Sequence, residues 1–161
     1  MSELNEFEER ILANIREHGC QVNHVFDPDG VLPGKSYSIG FPETIDQPEV
    51  IVFGLPSEVM KFMINDLLRQ CREEGLSLHD GLVVSDLLEG FDCIARIVQS
   101  EHIIADHFAS AMWFSEHRFQ TEMKDAFQIV WPSSVAGLFP WDEGVAQDVI
   151  DAQPALYEAA A

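Results

Sequence analysis

The run EVIVFGLP, residues 49–56, constrains this chain more than any other stretch. Its apolar residues do not alternate with polar ones, which predicts a strand buried on both faces. Pro56 ends the run and suits the first turn of a helix. Upstream, Tyr37, Ile39 and Phe41 alternate with Ser38 and Gly40, so YSIGF reads as a strand with one buried face. Gly40 within it marks a bulge or a close backbone approach. PETIDQP, with Pro at both ends, is a connection. The short links between residues 20 and 55 favour antiparallel pairing there.

The remaining elements follow from spacing. Leu4, Phe7, Ile11 and Ile15 form one helical stripe over residues 1–19, with Ser2 as the N-cap and Gly19 as the stop. CQVNHVF is a strand that ends in the turn residues DPDG. After Pro56, a helix carries Val59, Phe62, Met63, Leu67 and Cys71, with Arg69 and Arg72 in its last turns and Gly75 beyond. LVVSDLLEG reads either as a short strand or as a turn of helix. FDCIARIVQ is a strand with Phe91, Cys93, Ala95 and Ile97 on one face. Ser100 caps a helix reaching about His117. FQIVW is a last strand, a short helix starts near Val145 or Asp148, and EAAA reads as a frayed end. The expected architecture is one α+β domain over residues 1–161. Its sheet is mainly antiparallel, with barrel-like closure as one form, and helices pack on it.

Charge narrows the function classes. Twenty-eight Asp and Glu against nine Lys and Arg give a formal net charge of −19. Such a surface repels nucleic acid and anionic membranes and attracts basic proteins. The acidic start MSELNEFEER has no apolar signal core, and no run is long enough to span a bilayer, so a cytoplasmic location is expected. Cys20, Cys71 and Cys93 contain no C-x-x-C pair, which argues against a disulfide framework and a thiolate zinc site. Each falls in a predicted element and reads as a buried small hydrophobe. Nucleophile-elbow, Walker and G-x-G-x-x-G motifs are absent from the sequence.

Two constellations remain. Trp131 and Trp141 lie beside Pro132 and Pro140 in FQIVWPSSVAGLFPWDEG. They form either an aromatic pocket wall or a clasp that folds the loop onto the sheet. His102 and Asp106 are four residues apart and share a face of the predicted helix, while His107 points elsewhere. They read as a surface pair, and are the first candidates if a metal binds.

The motifs YSIGFPETIDQPEVIVFGLP, DLLEGF, AMWF, FQIVWP, GLFPWD and QPAL occur in this order. Together they resemble a bacterial family of domains of unknown function, number 4262, over roughly residues 20–156. That resemblance implies a cytosolic bacterial domain and carries no established activity. Ser133 stands where the family pattern has an acidic residue after Trp-Pro, and His102 matches a run of His and aromatic residues. The stretch PGKSYSIGFPETIDQPEVIVFGLP also looks like the opening of flavin-reductase split barrels. That likeness implies Tyr37 and Ser38 near a ligand, with Lys35 as a cation for a phosphate. Trp113, Trp131 and Trp141 complete the pocket candidates.

Two functions are therefore expected. The first is an acidic module that docks on a basic protein, as an inhibitor or immunity-type partner. The second is a small-molecule-binding protein or enzyme on a split-barrel-like sheet, flavin- or metal-dependent. The sequence specifies no cofactor.

Overall fold

The computed structural model describes residues 3–158. Ser2, read above as a cap, and the last three alanines lie outside the described residues. Two strands set the architecture. β3 (Glu49–Phe53) and β6 (Ala126–Val130) run parallel in the middle of a six-stranded sheet, with Glu49 opposite Ala126 and Ile51 opposite Gln128. Every residue of both is buried. β2 (Lys35–Ile39) and β1 (Gln21–Val25) continue antiparallel on one side, and β5 (Phe91–Ile97) and β4 (Val83–Leu88) on the other. The order is β1-β2-β3-β6-β5-β4. The fold is α+β with an open, mostly antiparallel sheet. The barrel-like form is not adopted, because β1 and β4 end the sheet at opposite edges.

Helices cover both faces, which explains the unbroken apolar run of β3. Side chains alternate across a strand. Val50 and Val52 meet Met60, Met63, Ile64 and Leu67 of α3 (Ser57–Glu73) in one core. Ile51 and Phe53 face the other way, into a core with Ile11 and Ile15 of α1 (Glu6–His18) and Phe108, Ala111 and Phe114 of α4 (Ala105–Phe119).

The same double cover corrects the reading of β2. Ser36 and Ser38 are as fully buried as Ile39. Their hydroxyls are satisfied inside: Ser36 Oγ lies 2.5 Å from His24 Nδ1, and Ser38 Oγ donates to Glu49 Oε1 at 2.7 Å. PETIDQP is not a plain connection, since Phe41–Ile45 form a short helix, α2. Gly40 is its N-cap at φ 118°, and a Cβ there would lie 2.9 Å from Ile15 Cγ1.

Other boundaries shift for local reasons. α1 is capped by Asn5, whose side chain accepts from Glu8 N while the Glu8 side chain accepts from Asn5 N. On α3 the buried stripe is Met60, Met63, Ile64, Leu67, Leu68 and Cys71, and Phe62 points to solvent. LVVSDLLEG supplies β4, which forms a hairpin with β5. The helix predicted from Ser100 is interrupted: residues Ser100–His102 make a 3-10 turn, and α4 starts at Ala105.

One carboxylate holds the corner between β2, α2 and β3. Glu49 is buried and accepts from Ser38 Oγ, Gly40 N (2.7 Å) and Phe41 N (3.0 Å). Val50 N in turn donates to Ser38 Oγ at 2.9 Å. Burial pushes the Glu49 carboxyl up to about 7, against three hydrogen bonds that favour the anion.

Gly54 and Gly90 separate backbone strain from packing. Both have positive φ, at 79° and 82°. A Cβ at Gly54 would meet the carbonyl and Cβ of Ala152 in α5 (Gln147–Ala152), whereas one at Gly90 meets open space. Gly90→Ala is expected to cost about 1 kcal/mol in urea unfolding. Gly54→Ala is expected to cost a further 1–3 kcal/mol, roughly, from overpacking.

Candidate functional site

Two of the sequence-predicted groups meet where β2 crosses α4. Phe108 has φ −135° and ψ 27°, so α4 is kinked near its start. In an unbroken helix Ser110 N–H would bond to the Asp106 carbonyl. Here Ser110 N donates instead to Tyr37 Oη at 3.0 Å, and Lys35 Nζ donates to the Asp106 carbonyl. Lys35 and Tyr37 are two apart on β2 and so point to the same face. They replace the donor and the acceptor that the kink removes from the helix.

Lys35 Nζ also lies 3.0 Å from His107 Nδ1, and the His102 and His107 rings are 6.4 Å apart. Burial first, and then the charge of Lys35, holds the His107 imidazole below its ordinary range. The expected His102–Asp106 pair on one helix face does not form, because His102 belongs to the preceding 3-10 turn. His107, expected to point elsewhere, is the histidine that reaches the strand. Among the described residues, no group of three or more His, Cys, Asp or Glu side chains is placed to hold a metal.

The pocket candidates do not converge. Tyr37 and Ser38 are buried in the sheet, and Trp113 stacks on His117 with ring centroids 5.1 Å apart. Trp141 stacks on Phe139 at 5.2 Å, and the Arg96 guanidinium lies 5.0 Å from its ring. Trp131 Nε1 donates to the Phe53 carbonyl at 2.7 Å. The Gln153 side chain brackets Trp131, accepting from its N–H and donating to its carbonyl. The loop between the two tryptophans is tied by Ser133. Its N–H donates to the Leu138 carbonyl, and its hydroxyl donates to the Val135 carbonyl.

Trp131 lines a cavity of about 650 Å³ between the β4–β5 hairpin and α5. Leu55, Leu88, Phe91 and Val149 supply apolar walls, and the exposed carboxylates of Glu89 and Asp148 border it. Its lining contains no Lys, Arg or His. A larger cavity, of about 920 Å³, lies between β1 and α3 and gathers Lys61, Arg69 and Arg72 with Glu17 and Glu73. The three cysteines are buried and free, and burial pushes their thiols up to about 12, 11 and 12 in chain order. None is a thiolate nucleophile at neutral pH. No helix of the described residues is long and apolar enough to cross a membrane.

A family model described as a domain of unknown function, DUF4262, matches residues 14–146. The chain belongs to the DUF4262 family. No curated protein and no solved structure matches it. Within this DUF4262 chain the matched residues include the whole kinked β2–α4 junction and the Trp131 side of the acidic cavity. Asp148, Val149 and Ala152, which close that cavity, lie beyond the match.

Sequence reasoning missed His107, Glu89, Asp148 and Gln153 as members of these sites. Periodicity carried the helix through Phe108, and so gave no sign of the kink that turns His107 toward β2. If Tyr37 Oη supports that kink, Tyr37→Phe removes the acceptor of the half-buried Ser110 N–H. Urea unfolding is expected to show a loss of about 1 kcal/mol; an unchanged midpoint would show that water or another acceptor replaces it.

Proposed function

We propose that this chain is an acidic, cytoplasmic protein-binding module that docks on a basic partner, as an inhibitor or immunity-type protein does. The observation that carries this reading is the cavity beside Trp131. A Lys or Arg side chain entering it would lay its stem along Leu55, Leu88 and Phe91 and bring its charge to Glu89 and Asp148. Aromatic faces beside the cation add attraction. The net charge of −19 supplies long-range steering toward a basic surface. Among the described residues, no group of three or more His, Cys, Asp or Glu side chains is placed to hold a metal, and the three cysteines are buried.

A second reading, small-molecule binding, is favoured by the cavity between β1 and α3. Three of the nine Lys and Arg line it, in a chain otherwise dominated by carboxylates. An anionic ligand, such as a flavin phosphate or another phosphate ester, suits that charge.

Charge reversal separates the readings. Immobilised chain is exposed to lysate at about 50 mM and about 500 mM salt, spanning strong and weak screening. A basic partner is expected to bind at the lower salt and elute at the higher. Glu89→Lys combined with Asp148→Lys is expected to lose it, while Glu6→Lys combined with Glu116→Lys, with the same net charge, keeps it. Equal loss from both pairs would show nonspecific charge attraction and defeat the proposal. A thermal shift with flavin mononucleotide or inorganic phosphate, abolished by Arg72→Ala, would favour the second reading.

A further inference from the structure

The two edges of the sheet are finished differently. β4 has a register shift between Val84 and Leu88, carries Asp86 at φ 70°, and gives its Ser85 carbonyl to Gln70 Nε2 of α3. Irregularities and charges of that kind block pairing with another chain. β1, QVNHV, contains no Lys, Arg, Asp, Glu, Pro or Gly, and it keeps one register with β2 over all five residues. Among the described residues, its main chain bonds to β2 and to no other element. Val25 and Phe26 at its end are exposed, Phe26 at 63%. Such a strand presents an open row of N–H and C=O groups to a further strand.

Charge beside β1 is divided between its ends. Lys61 of α3 lies by His24, where burial first, and then the charge of Lys61, holds the imidazole below its ordinary range. At the other end Arg72 lies against Gly19, and Glu17 and Glu73 stand in the last turns of α1 and α3. All of these line the cavity of about 920 Å³ or adjoin it. Lys61 takes part in no ion pair among the described residues, and Glu17 and Glu73 are exposed, each with one contact at 3.8 Å. Lys61 and Glu73 are twelve residues apart on α3, about 18 Å. A five-residue strand spans about 17 Å. A copy of β1 laid antiparallel to the first therefore brings the Lys61 end of one chain to the Glu17 and Glu73 end of the next.

We infer that two copies of this chain pair edge to edge through β1, about a twofold axis near Asn23, so that Lys61 of each meets the partner's Glu17 and Glu73. The contact is isologous, and each favourable pair occurs twice. A ladder of two five-residue strands is small for a stable dimer. The flanks widen it, because α1 and α3 both pack on β1 and Phe26 of each copy comes over the start of the partner's strand. The acidic cavity beside Trp131 lies at the β4 side of the sheet and stays open in such a dimer, so the pairing is independent of docking there. A strand seated on β1 does exclude the anion of the second reading.

Sedimentation equilibrium of the full chain at about 1 μM and about 100 μM brackets a micromolar dissociation constant. Salt at about 150 mM screens the long-range repulsion between two chains of charge −19. The mass is expected to approach that of two chains at the higher concentration. Lys61→Glu is expected to weaken the dimer about tenfold, since the symmetry counts each change twice. Lys124→Glu, an equal change of net charge at another exposed lysine, is expected to leave the dissociation constant as it was. Lys61→Glu combined with Glu17→Lys and Glu73→Lys is expected to restore the dimer, which a misfolded variant would not do. A chain monomeric at both concentrations, the result expected if this edge serves a foreign strand or an anion, overturns the inference. So does a dimer that responds equally to Lys61→Glu and Lys124→Glu.

Discussion

A carboxylate sealed inside the sheet is the constraint on which the rest of this fold depends. Glu49 opens β3, the strand that pairs with β2 on one side and β6 on the other. Its two oxygens gather the Ser38 hydroxyl and the first N–H groups of the Gly40–Phe41 turn. A negative charge at the start of a helix satisfies donors that have no partner within it. Through Ser38 the network also reaches Val50 N, so one side chain fixes where β2 stops, where α2 starts and where β3 begins. Burying a charge is costly unless such bonds offset it, and a buried network with every group satisfied specifies one arrangement. Among the described residues, no buried side-chain nitrogen or oxygen lacks a partner.

The kink in α4 follows the same logic in the opposite direction. The helix loses a main-chain bond at Phe108 and recovers both halves of it from side chains of β2. Phe108 itself is fully buried against Tyr37, with ring centroids 5.9 Å apart. Packing of that ring thus coincides with the break, and the polar groups it frees are met by Lys35 and Tyr37. A lysine that serves as a hydrogen-bond donor at a helix start sits among neutral partners.

The sequence disclosed most of the architecture and little of the sites. The run at residues 50–53 told of a strand covered on both faces, because twofold alternation vanishes when both sides are dry. Gly40 signalled a close approach, and Ile15 and Gly19 are what approach it. β2 reads as half-buried because Ser38 and Gly40 alternate with Tyr37, Ile39 and Phe41, but the Ser38 hydroxyl, like that of Ser36, finds an internal partner, which composition does not reveal. The parallel pairing of β3 with β6 joins strands separated by α3, a hairpin and α4, and no local pattern encodes it. His107 was misplaced because one non-helical residue rotates everything before it. Glu89 and Asp148 lie far apart in the chain, and only the fold brings both to the cavity beside Trp131.

The buried carboxylate is open to direct measurement. With its folded pKa raised to about 7 from the ordinary 4.5, Glu49 contributes stability that is complete below about pH 4.5 and lost as pH rises through 7. Urea unfolding of the wild type and of Glu49→Gln at pH 5 and pH 8 isolates that contribution, since other titrating groups are common to both. The account predicts that the wild type loses about 2 kcal/mol relative to the variant across that interval. Parallel stability profiles, or a wild type that gains on the variant as pH rises, would contradict a carboxylate sealed at the centre of the sheet.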